Sequence, residues 1–146
     1  MLRKVVIAFF ITLLAVSTVE AITLVSIDGE NVNMRSGPGS NYSVLWELGK
    51  GFPLKVIGSK GDWLKVEDFE GDNGWIHTKL SSKKPHLIVK KKRVNVRSGP
   101  SSKNRLVGKA NYGVVFKRIK ISKGWAKVKH ENGLTGWIKR DLLWGW

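Results

Sequence analysis

The sequence predicts an all-β protein made of two small barrels in tandem. Three observations lead there. The phrase "VNMRSGPGSN" at 32–41 returns as "VNVRSGPSSK" at 94–103. Short alternations of apolar and polar residues recur between Gly-rich turns, the pattern of half-buried strands. Past residue 21, no long stretch carries the 3.6-residue period of a helix.

The first residues read as a targeting segment. Arg3 and Lys4 precede an apolar run from Val5 to Val16, and Val19–Ala21 supplies small residues at a cleavage spacing. This is the pattern of a secretory signal peptide cut near Ala21. The run is shorter than the roughly 20 residues that cross a bilayer, so no transmembrane span is expected in the mature chain. The expected division is 1–21 signal peptide, 22–82 first domain, 83–92 basic linker and first strand, and 93–146 second domain. There is no cysteine, which removes disulfides, thiolate metal sites, a Cys nucleophile and lipid anchoring through Cys.

Sliding the chain by 62 residues aligns 31–80 with 93–142 without a gap, identical at 18 of 50 positions. A unit of about 60 residues buries only about 60% of its unfolded surface, so contacts between the units or efficient small cores are expected. Each unit opens on a strand, Val-Asn-Met or Val-Asn-Val. Ser-Gly-Pro is expected to stop it, because Gly allows positive φ and Pro lacks a donor. Phe52–Gly58 and Val114–Ile121 are β-rich runs ending in turns. Trp63–Phe69 and Trp125–His130 alternate again, and Gly-rich turns follow. A Gly-Trp-Ile strand and a closing leucine, Leu80 or Leu142, complete each unit.

This order, V-N-(M/V)-R-S-G-P, an apolar strand, G-x-W-x-K-V, G-W-I and a closing Leu, resembles the bacterial SH3 domains over roughly 31–81 and 93–143. "GKGFPLKVI" and "LLWGW" resemble more narrowly a group of exported two-repeat proteins of proteobacteria. The resemblance implies an SH3-like barrel of five to six strands per unit. It also implies a binding role, often at cell-wall peptides or surface components. Such domains often accompany a cell-wall cysteine peptidase or amidase domain; none is expected in these 146 residues.

Charge divides the chain. Residues 22–82 hold six Lys/Arg and eight Asp/Glu, net −2; residues 83–146 hold eighteen and two, net +16. The asymmetry points to an anionic partner for the second half. The candidate anion-binding residues are Lys90, Lys91, Lys92, Arg93, Lys117, Arg118, Lys120, Lys127 and Lys129. Lysines also protect sheet edges, but a few suffice for that. The expected anions are peptidoglycan carboxylates, lipopolysaccharide phosphates and lipid headgroups. No specific nucleic acid is expected, since the leader implies export and no RNP1 or dsRBD pattern is present. The sequence specifies no oligomeric state.

Seven tryptophans are many for this length. Trp63/Trp125 and Trp75/Trp137 match between the units and suit core and rim packing. Tyr42 and Trp46 have Asn104 and Gly108 as counterparts, so the shared fold does not require them. They form either a satellite core or, with Trp63, a groove in the first unit; Tyr112 and Trp125 are the candidates in the second. Asn33, Arg35, Gly37, Pro38 and Trp75, with Asn95, Arg97, Gly99, Pro100 and Trp137, are read as scaffold. The Asn and Arg of each phrase are expected to pin the loop that follows. Trp144 and Trp146 are expected to pack on a barrel or between the two; an exposed pair would instead mark a contact surface.

Catalysis finds little support. His77, His86 and His130 lack metal-ligand spacing, and Ser36 and Ser98 lie outside any G-x-S-x-G elbow. Glu67, Asp68, Glu70 and Asp72 flank a hairpin turn, where both members of a carboxylate pair would be solvated. No catalytic residue, cofactor or metal is expected. The expected function is an exported, non-catalytic binding or adaptor protein of the envelope, periplasmic or secreted. It would recognise a cell-wall peptide or envelope protein, with a basic second domain for anionic polymer or lipid headgroups. The alternative is a polyanion-binding protein (lipopolysaccharide, anionic lipid or nucleic acid) using both barrels as one platform; an envelope enzyme is least expected.

Overall fold

The computed structural model describes residues 11–146. The first ten residues of the expected leader therefore lie outside the described residues. Residues 11–23 form no regular element, and no described helix is long and apolar enough to cross a membrane. The first unit contains β1 (Leu24–Ile27), β2 (Val32–Arg35), β3 (Val44–Leu48), β4 (Pro53–Lys60), β5 (Trp63–Glu67), β6 (Asn73–His77) and β7 (Ser81–Ser82). The second contains β8 (His86–Val89), β9 (Arg93–Arg97), β10 (Leu106–Asn111), β11 (Val115–Ser122), β12 (Trp125–Lys129), β13 (Thr135–Lys139) and β14 (Leu143–Gly145). A single 3-10 turn, Thr78–Leu80 or Arg140–Leu142, precedes the last strand of each.

The sheets have the orders β3-β2-β6-β5-β4-β1-β7 and β10-β9-β13-β12-β11-β8-β14, so each strand of one has its counterpart in the other. The protein is all-β, as expected, but each sheet has seven strands rather than the implied five or six. The additional strands are short and lie at the borders of the matching stretch. β1 and β8 are 62 residues apart and share no identical residue, yet Val25 faces Leu54 as Leu87 faces Phe116. Alternation survived there where identity did not. The β-bulges also recur at the same places, between Val56 and Gly58 in β4 and between Arg118 and Lys120 in β11. Bulges sharpen twist and let a sheet curl towards closure.

Inward residues of each sheet make one core. Val25, Ile27, Val32, Met34, Leu54, Val66 and Ile76 fill the first; Leu87, Val89, Val94, Val96, Phe116, Val128 and Ile138 fill the second. Where the second core gains Phe116 over Leu54, it loses volume at Ala126 over Leu64. Such exchanges at conserved volume cost little.

The repeated phrase works differently from the expectation based on backbone freedom. Neither Gly37 nor Gly99 has positive φ. They are glycines for space: a Cβ on Gly37 would collide with the Tyr42 ring, and one on Gly99 would lie 2.7 Å from Asn104 Oδ1. The arginines fix the loop. Arg35 Nη1 donates to the Tyr42 carbonyl (2.9 Å) and Arg97 Nη1 to that of Asn104 (3.1 Å). The turn after β5 is also shared in geometry. Asp68 Oδ1 accepts from the backbone N–H of Glu70 and Asp72, both at 2.9 Å, and its counterpart His130 accepts from Asn132 through Nδ1. Asp68 is only 7% exposed. The solvated carboxylate expected at this position is therefore a buried turn cap.

The barrels touch. Tyr112 of the second packs on Phe69 of the first (centroids 5.2 Å apart), and Phe69 meets Phe52 edge-on. Ile88 is fully buried but belongs to neither core; its strand and β14 lie against β4. Its counterpart Ser26 is also fully buried, and shares hydrogen bonds with Ser82 Oγ and the Lys84 carbonyl, both at 2.9 Å.

Candidate ligand grooves

Each barrel carries one open groove beside the repeated phrase, of about 590 Å³ in the first and about 460 Å³ in the second. Nine of the ten lining positions of the first recur, shifted by 62, in the second. Six of those nine are identical: Val32/Val94, Asn33/Asn95, Arg35/Arg97, Ser40/Ser102, Trp63/Trp125 and Leu80/Leu142. Alternation along β2 and β9 produces this lining. Met34 and Val96 point into the cores, so the Asn and Arg on either side point out. Trp63 and Trp125 start the neighbouring hairpin strands and are half-buried, each offering part of a ring face. The His77 ring stands edge-on to Trp63, with centroids 5.2 Å apart. An indole flanked by an amide and a guanidinium can stack a flat group and hydrogen-bond its polar edges.

The groove lining joins some of the expected residues and separates others. Trp63, Asn33 and Arg35 meet in the first groove, and Trp125, Asn95, Arg97, Pro100 and Arg93 in the second. Tyr42 and Trp46 are 43% and 54% exposed but do not line the groove with Trp63. Tyr42 instead covers Gly37, and Trp46 lies on the edge strand β3 opposite Met34. Tyr112 is in the contact between barrels, away from either groove. Its hydroxyl pKa is raised by partial desolvation, then by the nearby Glu70 carboxylate. Pro38 lies outside the first groove's lining. Trp75 pairs with Arg35 and Lys65 across β6, and Trp137 with Arg97 and Lys127 across β13. His77, Lys139, Leu80 and Leu142 were absent from the expected sites. The shift of 62 matches Leu80 with Leu142, but His77 and Lys139 differ and lie beside the tryptophans only through the pairing of β5 with β6 and of β12 with β13.

The basic residues divide among several surfaces. Lys90, Lys91 and Lys92 form the exposed turn before β9. Lys117 faces Lys129 across the sheet, and Lys120 faces Lys127. Lys120 Nζ also lies 5.8 Å from the Trp137 ring centroid. The equivalents of Lys117 and Lys129 in the first barrel are Lys55 and Glu67, an opposite-charge pair. Like charges directly opposite destabilise a sheet, so the second barrel keeps this pattern against its own stability. Arg118 is elsewhere, close enough to Arg140 to lower its pKa, after the larger effect of burial.

A cleft of about 680 Å³ between the barrels holds Glu30, Lys50, His86, Lys117, Lys129, His130 and Glu131 along its walls. His86 Nδ1–H donates to the Lys84 carbonyl at 2.8 Å. Burial lowers its pKa; that hydrogen bond partly opposes the shift, while Lys117, Lys84 and Lys50 add to it. Among the described residues, no three His, Asp or Glu side chains are grouped to hold a metal.

The chain is similar to known proteins throughout its length. It is 26% identical over 147 residues to "Putative N-acetylmuramoyl-L-alanine amidase YrvJ" of Bacillus subtilis, covering 93% of this chain and 28% of that protein. It is 42% identical over 55 residues to "Probable cell wall amidase LytH" of Staphylococcus aureus, covering 35% of this chain and 19% of that protein. The chain thus spans less than a third of either relative. Among solved structures, NlpC2 from Trichomonas vaginalis aligns at 15% identity and a TM-score of 0.39, over 87% of this chain and 49% of that one. The model of the bacterial SH3 domain matches twice, at 28–83 and 90–145, and the chain accordingly belongs to that family, as a tandem pair of its domains.

Proposed function

We propose that the chain is an exported, non-catalytic module that binds peptides of the bacterial cell wall through its two grooves. The observation that carries this reading is the recurrence of one lining, Trp with Asn, Arg and Ser, at the same place in both barrels. The indole would stack against the flat amides of a peptide, while Arg and Asn meet its carbonyls. Two grooves in one chain suit a polymer that repeats its own motif, because the second engagement is intramolecular. The names of the relatives, one a probable cell wall amidase and the other a putative N-acetylmuramoyl-L-alanine amidase, support the same target. The surplus of cations on the second barrel would draw the chain towards an anionic wall.

The test is co-sedimentation of the full chain with purified sacculi at about 0.15 M salt, where the Debye length is about 8 Å. Trp63→Ala and Trp125→Ala should each weaken binding about tenfold, equivalent to about 1.4 kcal/mol. The double substitution should lose more than either. Binding unchanged in the double substitution would refute the grooves. Release of soluble wall fragments by the chain alone would refute the non-catalytic reading.

A further inference from the structure

The two grooves share a frame but differ in charge. Where the first has Asn31 and His77, the second has Arg93 and Lys139. Neither lining contains an Asp or Glu to neutralise these cations. The first groove thus holds one permanent cation, Arg35, whereas the second holds three: Arg93, Arg97 and Lys139. Arg97 has Nη1 engaged by the Asn104 carbonyl, as Arg35 Nη1 is engaged by that of Tyr42. The added pair is therefore what distinguishes the second groove.

We propose that the second groove selects a ligand bearing a free carboxylate, and that the first takes its uncharged, amide-like equivalent. Arg93 and Lys139 are the specificity-determining residues. This rests on the grooves being the wall-binding sites. The shared Trp, Asn, Arg, Ser and Leu call for ligands of one shape, so the difference must be one of charge at nearly constant size. A carboxylate and a carboxamide are such a pair, whereas a phosphate has no neutral counterpart of its shape. A guanidinium and an ammonium on one rim favour the carboxylate through charge-assisted hydrogen bonds. Asn31 donates its amide N–H groups to the Glu47 carboxylate (3.2 Å) and the Glu30 carbonyl (3.0 Å), which leaves its Oδ1 to accept from an amide.

The test uses the full chain and two preparations of purified sacculi, one untreated and one with its free carboxyls converted to amides. Trp63→Ala leaves the second groove to bind, and Trp125→Ala leaves the first. With Trp63→Ala, capping the carboxyls should weaken binding about tenfold or more, the effect of losing one charge-assisted hydrogen bond. With Trp125→Ala, capping should change binding less than about threefold, as for a site without such a bond. Adding Arg93→Asn and Lys139→His to Trp63→Ala should abolish the sensitivity. Adding Lys117→Gln and Lys129→Gln, which removes the same charge from the cleft between the barrels and not from the groove, should preserve it. The reverse graft, Asn31→Arg with His77→Lys at exposed and half-buried positions, added to Trp125→Ala, should make the first groove sensitive. If capping affects both grooves alike, or if Lys117 and Lys129 of the cleft matter as much as Arg93 and Lys139, the selectivity is overturned while the grooves stand. If neither Trp substitution weakens binding to untreated sacculi, the grooves themselves fail, and the selectivity with them.

Discussion

Gly37→Ala tests whether the repeated phrase needs glycine for space or for backbone freedom. The added methyl would enter the Tyr42 ring, meeting three of its carbons. The ring cannot slide freely, because its own carbonyl is held by Arg35 and the next residue's carbonyl by the Ser36 N–H at 2.9 Å. Overpacking of this kind costs about 1–3 kcal/mol. Tyr42 is 43% exposed and has some freedom to swing outwards, which places the expected loss near 2 kcal/mol. For a barrel of this size that is about 10 °C in Tm. Gly99→Ala should cost under about 1 kcal/mol, because the methyl meets only the movable amide of Asn104. Both glycines precede a proline, so any penalty from that neighbour cancels in the comparison. The assay is urea denaturation of the full chain followed by tryptophan fluorescence, with Tyr42→Ala completing a double-mutant cycle. Gly37→Ala and Tyr42→Ala should couple by about 1–2 kcal/mol. Equal losses at Gly37 and Gly99, or additive effects with Tyr42→Ala, would refute the steric reading.

Lys123 has φ 50 where the first barrel has Gly61 at φ 56; Lys123→Gly should stabilise the second barrel by up to about 1 kcal/mol, seen as a rise in its Tm. Asp68→Ala removes the acceptor of two backbone N–H groups and should cost the first barrel about 1–3 kcal/mol in urea denaturation, with Asp68→Asn costing less. The lowered pKa of His86 means that the unfolded chain takes up its proton first as pH falls. The stabilisation from keeping His86 neutral is present above its ordinary value of 6.5 and is lost as pH drops below that value towards the folded one. Thermal unfolding between pH 8 and pH 5 should show this loss, and His86→Gln should flatten it.

Much of the scaffold was legible because it is written twice. The alternation around Asn33 and Asn95, the Trp-x-Lys-Val strands and the Gly-Trp-Ile strands all fell where periodicity placed them. β1 and β8 escaped in detail because four residues without shared identity hold their place by pairing with β4 and β11, a property of partners distant in sequence. The grooves were half legible. Trp63 and Trp125 were among the candidates, but Tyr42 and Trp46 drew notice for being unmatched, and exposure depends on which way an edge strand and a loop turn. His77 and Lys139 are adjacent to the tryptophans only through the pairing of β5 with β6 and β12 with β13. The role of Gly37 was misread for a similar reason: crowding by a ring five residues away cannot be told from a turn requirement without coordinates.

Ser26 and Ile88 occupy the same place in two barrels of one design, and they give the tandem a direction. At Ser26 the outer side of the strand is closed by hydroxyls and a linker carbonyl, whereas at Ile88 it is apolar and rests where the neighbouring barrel adds its strand β4. One barrel is thus self-sealed at that position and the other is a plug. Exchanging the order of the two domains would leave the plug facing water and set a hydroxyl into an apolar seat. The barrels have interchangeable folds but fixed places in the row.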